Sequence, residues 1–188
     1  MQALQWMRDK EKPKLPGPGE ANVVQLWKRL ESGAYVNVAT NAVKTAEPPY
    51  LVSGGILADD MGLGKTLEMI SLILTAPGSG PTLIVAPKGV MSNWENQIKG
   101  HVAWSHYPKI MRFHSGSAVK DEKVLSVQKV VITTYHKMVT DATLLTKVKW
   151  RRLIFDEGHN IRNSHTKMAE VACKLEAKSR WVCTGTPM

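Results

Sequence analysis

The chain has 188 residues, 25 Lys and Arg against 16 Asp and Glu for a formal charge of +9, 43% hydrophobic residues and two cysteines. A hydrophobic fraction of that size fills the core of one compact domain, which excludes a disordered or collagen-like chain. Cys173 and Cys183 fall in no CxxC or Cys/His arrangement, so neither a zinc site nor a disulfide scaffold is expected and a reducing compartment suits them.

Residues 1–12 read as the end of a helix, followed by a breaker-rich connection at Pro13, Pro16, Gly17, Pro18 and Gly19 and then a short amphipathic stretch. Their charges leave no room for the apolar stretch of a signal peptide. From Leu51 onward, apolar runs of strand length alternate with helical patterns, the rhythm of βαβ units. Strands are expected at Gly55 to Ala58, Thr82 to Ala86, Ile110 to Phe113, Lys129 to Thr134, Arg152 to Asp156 and Arg180 to Thr184. Helices are expected over Lys65 to Thr75, Ser92 to Lys99 and Thr166 to Ala177, the last with Met168, Val171, Ala172 and Leu175 on one face. The uncharged residues 69–87 have the length of a membrane span, but Pro77-Gly78-Ser79-Gly80-Pro81 divides them into a helix and a strand. Most of these strands are apolar on both sides, so the expected fold is α/β: a mostly parallel sheet with helices on both faces. Its ligand site would lie at the carboxyl ends of the strands.

The chemistry concentrates at two strand ends. In Gly54-Gly55-Ile56-Leu57-Ala58-Asp59-Asp60-Met61-Gly62-Leu63-Gly64-Lys65-Thr66 a strand runs into a glycine-bearing turn and then a helix. Residues 59–66 have the makings of a phosphate cradle. Gly62 and Gly64 permit dihedrals at which consecutive N–H groups converge on a β-phosphate, and the helix adds its positive end. Lys65 can reach the β and γ oxygens, and Thr66 offers a hydroxyl to the Mg²⁺ that accompanies ATP. The strict P-loop pattern asks for Gly where Asp59 stands; a loop of the form Asp/Ala-x-x-Gly-x-Gly-Lys-Thr is that of superfamily-2 helicase-like motors. The second strand end is Arg152-Leu153-Ile154-Phe155-Asp156-Glu157-Gly158-His159. There Asp156 can hold Mg²⁺ and Glu157 can orient and deprotonate the water that attacks a γ-phosphate.

These segments, together with LIVAPKGVMSNWENQI, VVITTYHKM and WVCTGTPM, resemble in order and spacing motifs I, Ia, Ib, II and III of the SNF2 family of DNA-dependent ATPases. The resemblance covers residues 50–188 and implies the first of two RecA-like lobes, the helicase-like ATP-binding domain, preceded in residues 1–49 by a helix end and connection. Ala3-Leu4-Gln5-Trp6-Met7 looks like the end of the helix that carries the adenine-reading glutamine, which would itself precede Met1. The stretch LWKRLESGAYVNVATN resembles the branch of helicase-like transcription factor and RING-bearing DNA-damage-tolerance translocases.

Several roles follow from the resemblance alone. His159, Thr184, Gly185 and Thr186 would link the nucleotide site to the DNA cleft; the lesser alternatives are a loop residue for His159 and a plain strand exit for Thr184 to Thr186. Lys88, Ser92, Asn93, Gly116, Thr133, Thr134 and His136 would contact the backbone of double-stranded DNA without reading base edges, to which the basic isoelectric point near 9.6 is suited. Trp94 reads as a packing residue, and Lys147, Lys149, Arg151 and Arg152 as a solvated edge outside the site. The implied cofactors are ATP and Mg²⁺, the implied compartment the nucleus, and the implied partners chromatin or replication-fork proteins. Arginines of the second lobe, expected to lie outside these residues, would be needed for turnover, and two cysteines cannot build a RING. A strand-separating helicase, a DNA-binding scaffold that does not use ATP and a small-molecule kinase remain as alternatives.

Overall fold

The computed structural model describes all residues except 1, 46, 77, 115, 117–118 and 186–188. Helix α1 (Gln2–Lys10) leads through an irregular connection into three short antiparallel strands, β1 (Trp27–Arg29), β2 (Tyr35–Asn37) and β3 (Val43–Lys44). The chain then alternates through β4 (Gly54–Leu57), α2 (Lys65–Thr75), β5 (Thr82–Ala86), α3 (Met91–His101), β6 (Ile110–Phe113), α4 (Glu122–Ser126) and β7 (Val130–Thr134). It ends with α5 (Tyr135–Thr140), α6 (Ala142–Leu145), β8 (Trp150–Asp156), α7 (Lys167–Lys174) and β9 (Ala177–Cys183).

Strands β4 to β9 form one parallel sheet in the order β4-β9-β8-β5-β7-β6. Alternation within β5 explains why the sheet needs cover on both sides: Ile84 and Ala86 enter one core, Leu83 and Val85 the other, and every residue of the strand is buried. Met7 of α1, Met69, Leu72 and Ile73 of α2 and Trp94 and Ile98 of α3 fill the first core. Leu125, Met138, Leu145, Val171 and Ala172, from α4 to α7, fill the second. Among the described residues no helix is long and apolar enough to cross a membrane.

The sheet strands and long helices lie where the sequence places them, with shifted ends. Helix α7 stops at Lys174, short of the expected Ala177, because Leu175 turns extended and Ala177 already pairs with Trp150. Helices α4, α5 and α6 and the three-stranded sheet were not expected. Thr134 ends β7 and also caps α5, its hydroxyl accepting from the Lys137 N–H at 3.1 Å. Gln25 ties the small sheet to the approach of β4, donating to the Val52 carbonyl and accepting from the Val52 N–H, both at 2.7 Å. Helix α1 is likewise part of the domain: Met7 is fully buried and Arg8 donates to the Thr75 carbonyl at 2.8 Å.

Candidate active site

All six parallel strands point their carboxyl ends to one edge, and the two chemical segments meet there. After β4 the chain forms an exposed loop over Asp59, Asp60, Met61, Gly62 and Leu63. Gly62 and Gly64 both lie in the left-handed region, with φ of 86° and 90°. A Cβ on either would meet nothing within 4 Å, so backbone conformation, not crowding, demands glycine there. Gly64 is the residue before α2, and the side chain of Lys65, the first helical residue, folds back across the loop. Its ammonium donates to the carbonyls of Asp59 at 2.6 Å and Asp60 at 2.8 Å. The helix continues because Leu67, Met69, Ile70, Leu72 and Ile73 pack against the first core. Thr66, half-buried, lies in its first turn.

Asp156 ends β8, two strands from β4. Each carboxylate oxygen has a donor: the Trp94 indole N–H reaches Oδ2 at 2.7 Å and the Glu157 N–H reaches Oδ1 at 3.0 Å. Burial raises the Asp156 pKa above its ordinary value; the Trp94 indole offsets part of this, and the Glu157 charge pushes it further up. Leu57 at the end of β4 and Asp156 at the end of β8 both register with Cys183 of β9, so the Lys65 turn and the acidic pair leave the sheet at the same level with one strand between them. Glu157 stands in the left-handed region, φ 52° and ψ 57°, where a non-glycine residue is strained. Asn160 holds it there by donating to its carbonyl at 2.7 Å, and His159 Nδ1 lies 3.4 Å from Glu157 Oε2. The first turn of α2 carries the Thr66 hydroxyl and the end of β8 carries the two carboxylates, so apart from the Lys65 ammonium the groups offered at this edge are hard oxygen donors. This set fits Mg²⁺ carried in on a nucleotide, whose phosphates supply most of its ligands.

Thr184 and Gly185 adjoin this site. The Thr184 N–H donates to the Leu57 carbonyl at 3.2 Å, and a Cβ on Gly185 would come within 3.0 Å of Met61 Cγ in the loop. Thr186 lies outside the described residues.

The residues assigned to DNA are not all brought together. Lys88, Thr134 and His136 line a cleft of about 520 Å³ along the same edge, joined by His114, Lys137, Thr140 and Asn160, which sequence reasoning missed. Ser92 and Asn93 are exposed on α3, and Gly116, with φ 91°, is exposed beyond β6; none of the three lines that cleft. Thr133 is a correction: it is fully buried and its hydroxyl donates to the Phe113 carbonyl at 2.7 Å, leaving nothing for a phosphate. The basic cluster is also corrected in part, since Arg152 is buried rather than solvated. Trp94 packs in the core as expected, but its bond to Asp156 was missed; a buried indole N–H signals some acceptor without saying which.

A parallel sheet, a glycine turn opening onto Lys65 and an acidic pair at the tip of a strand one removed from it define a P-loop domain of RecA-like fold. The chain belongs to the SNF2-related domain family, which matches it over residues 1–188. It is 36% identical over 163 residues to an uncharacterized ATP-dependent helicase of Schizosaccharomyces pombe, a match covering 72% of the chain and 16% of the relative. It is 30% identical to the DNA repair protein RAD5 of Candida albicans, covering 94% of the chain and 20% of the relative. To the ISWI chromatin-remodeling complex ATPase ISW1 of Saccharomyces cerevisiae it is 33% identical, covering 84% and 15%. The solved Sulfolobus solfataricus SWI2/SNF2 ATPase core in complex with double-stranded DNA superposes with a TM-score of 0.59 at 33% identity, over 70% of the chain and 27% of that structure. The chain therefore spans a fifth or less of the length of these curated relatives. The match to a DNA repair protein is in keeping with the DNA-damage-tolerance branch that residues 26–41 resemble.

Proposed function

We propose that the chain is the ATP-binding lobe of a DNA-dependent ATPase that moves along duplex DNA in chromatin remodelling or DNA repair. The observation that carries this reading is the meeting of the Lys65 turn and the Asp156–Glu157 pair at one sheet edge, where Leu57 before the turn and Asp156 flank the same residue of β9, Cys183. The β and γ phosphates of ATP would take over the Lys65 ammonium from the Asp59 and Asp60 carbonyls, which have none of a phosphate's charge. The loop N–H groups and the start of α2 would hold the β-phosphate. Thr66 and Asp156 would hold Mg²⁺, whose chemistry is to neutralise charge on the β and γ oxygens. Glu157 would orient the attacking water and accept its proton, with His159 and Asn160 fixing its position. The adenine would lie over the cleft of about 350 Å³ between Ala3 and Trp6 of α1 and residues Ile56 to Asp59.

Duplex DNA would run along the cleft lined by Lys88, Thr134 and His136, held by phosphate contacts and without sequence preference. Turnover would require arginines from a second RecA-like lobe, a contribution worth about 10³–10⁵ in rate. The nucleus is the compartment where such work is done.

The test is calorimetric titration of ATP with Mg²⁺ into the chain and into Lys65→Ala. Binding to the former and none to the latter is expected; equal affinities would remove Lys65 and its loop from the nucleotide site.

A further inference from the structure

Two aromatic side chains reach the end of β8 from opposite faces of the sheet. From the first core, the indole N–H of Trp94, a fully buried ring on α3, donates to Asp156 Oδ2 at 2.7 Å. From the second core, the Tyr135 hydroxyl donates to the Asp156 carbonyl at 2.7 Å, and Tyr135 is only 5% exposed. One bond fixes the carboxylate, the other the backbone that carries it. Neither ring is needed for packing in this polar form: phenylalanine would fill nearly the same space at position 135, and an indole buried without an acceptor would be costly.

The chain neighbours of the two rings give the arrangement its meaning. Trp94 directly follows the exposed Ser92 and Asn93 and shares α3 with them; the short turn bearing Lys88 runs into that helix. Tyr135 stands between Thr134 and His136, both lining the edge cleft with Lys88. Each stretch expected to face DNA thus sends its own ring to the same acidic residue. A shift of α3 or α5 as a duplex seats on Ser92, Asn93, Thr134 or His136 would move a donor on Asp156.

We propose that Trp94 and Tyr135 are positioning residues that clamp Asp156, and that through them duplex DNA adjusts the affinity of the site for magnesium nucleotide. The proposal rests on the nucleotide and DNA readings above. It adds the route by which one site acts on the other, and such coupling is reciprocal: DNA that tightens nucleotide binding is itself tightened by nucleotide.

The experiment uses the 188-residue chain and its Trp94→Phe and Tyr135→Phe variants, each of which keeps a ring and loses one donor, with thermal melting to confirm folding. ATP affinity is measured by calorimetry with Mg²⁺ and with EDTA, each in the presence and absence of a short duplex. In the parent chain saturating duplex should change MgATP affinity by about fivefold or more, the lower end of ordinary coupling. In each variant that factor should fall towards one. The ratio of affinities with Mg²⁺ and with EDTA should fall by about tenfold in Trp94→Phe, which loses a hydrogen bond to a charged carboxylate, and by about fivefold in Tyr135→Phe, which loses one to a neutral carbonyl. A full duplex effect in both variants would overturn the clamp, and so would a parent chain that binds MgATP equally with and without DNA. A parent chain that binds no ATP at all would instead overturn the nucleotide reading beneath it, a failure seen before any variant is made. The Tyr135→Phe change removes a single oxygen atom, so its result stands even if Trp94→Phe loosens the core.

Discussion

The guanidinium of Arg152 grips both carboxylate oxygens of Glu11, Nε to Oε1 at 2.5 Å and Nη2 to Oε2 at 2.6 Å, across 141 residues of sequence. Both side chains are almost wholly buried, 1% and 7% exposed, and the Trp181 indole adds a third bond to the same carboxylate at 3.0 Å. The Ser53 hydroxyl donates to the Glu11 carbonyl at 2.9 Å, so the residue just beyond α1 is pinned to β8, β9 and the approach to β4 together. This pair locks the first helix onto the strand that ends in Asp156.

Removing one partner strands the other as a buried charge, which costs more than the pair itself is worth. Glu11→Ala should therefore lower the unfolding free energy by about 3–5 kcal/mol, read as a fall in the urea midpoint. The double change Glu11→Leu with Arg152→Met should recover most of that loss. The pH dependence has a definite sign. Burial raises the Glu11 pKa, but Arg152 and Trp181 more than reverse it and hold it below the usual 4.5. With the folded value below the unfolded one, the stabilisation is present above the unfolded pKa and is lost as pH falls through the folded one. Urea midpoints should decline on acidification below about pH 4.5 in the parent chain, and this component should be absent from Glu11→Gln. A parallel decline in both would assign it to other carboxylates.

Gly158, between the acidic pair and His159, has no room for a side chain: an added Cβ would overlap Val182 Cγ1 on β9. Gly158→Ala should destabilise the domain by about 1–3 kcal/mol through overpacking. Val182→Ala in the same chain should restore part of the loss, and a double-mutant cycle from urea denaturation measures the coupling. Additive effects would show that the glycine is required for something other than the approach of β9.

How far these relationships could be read from sequence depends on their range. The limits of β5, β6 and α2 agree with the sequence because each is an apolar run or stripe bounded by its own breakers, Pro81 and Pro87 around β5 and Gly64 before α2. The nucleotide turn and acidic pair were legible because their chemistry requires particular residues at fixed local spacing. The short strands β1 to β3 were not, since two or three residues carry no periodicity. Helix α5 was hidden because Thr134 serves both a strand end and a cap. Arg152 was misread because its partner lies 141 residues away, and the Trp94 bond to Asp156 was unreadable for the same reason, at 62.

Glu157 combines a chemical requirement with a backbone cost. Its φ of 52° and ψ of 57° place a side chain with a Cβ where the left-handed region costs roughly 1–2 kcal/mol. Asparagine tolerates that region better, because its short side chain bonds locally. Glu157→Asn should accordingly raise the unfolding free energy by about 1 kcal/mol. Glu157→Gln, with the backbone preference of the parent, should leave stability nearly unchanged, since the contact it alters with His159 is half exposed. In a protein carrying both RecA-like lobes, the same Gln change should preserve MgATP binding while removing DNA-stimulated hydrolysis, because the amide can still orient a water but cannot take its proton. Comparing urea midpoints with single-turnover hydrolysis separates the two roles. Hydrolysis persisting in Glu157→Gln would name another residue as the base, whereas an unchanged midpoint in Glu157→Asn would mean that the contacts of Asn160 and His159 already compensate the strain, so that the carboxylate is held at the strand tip without a stability deficit.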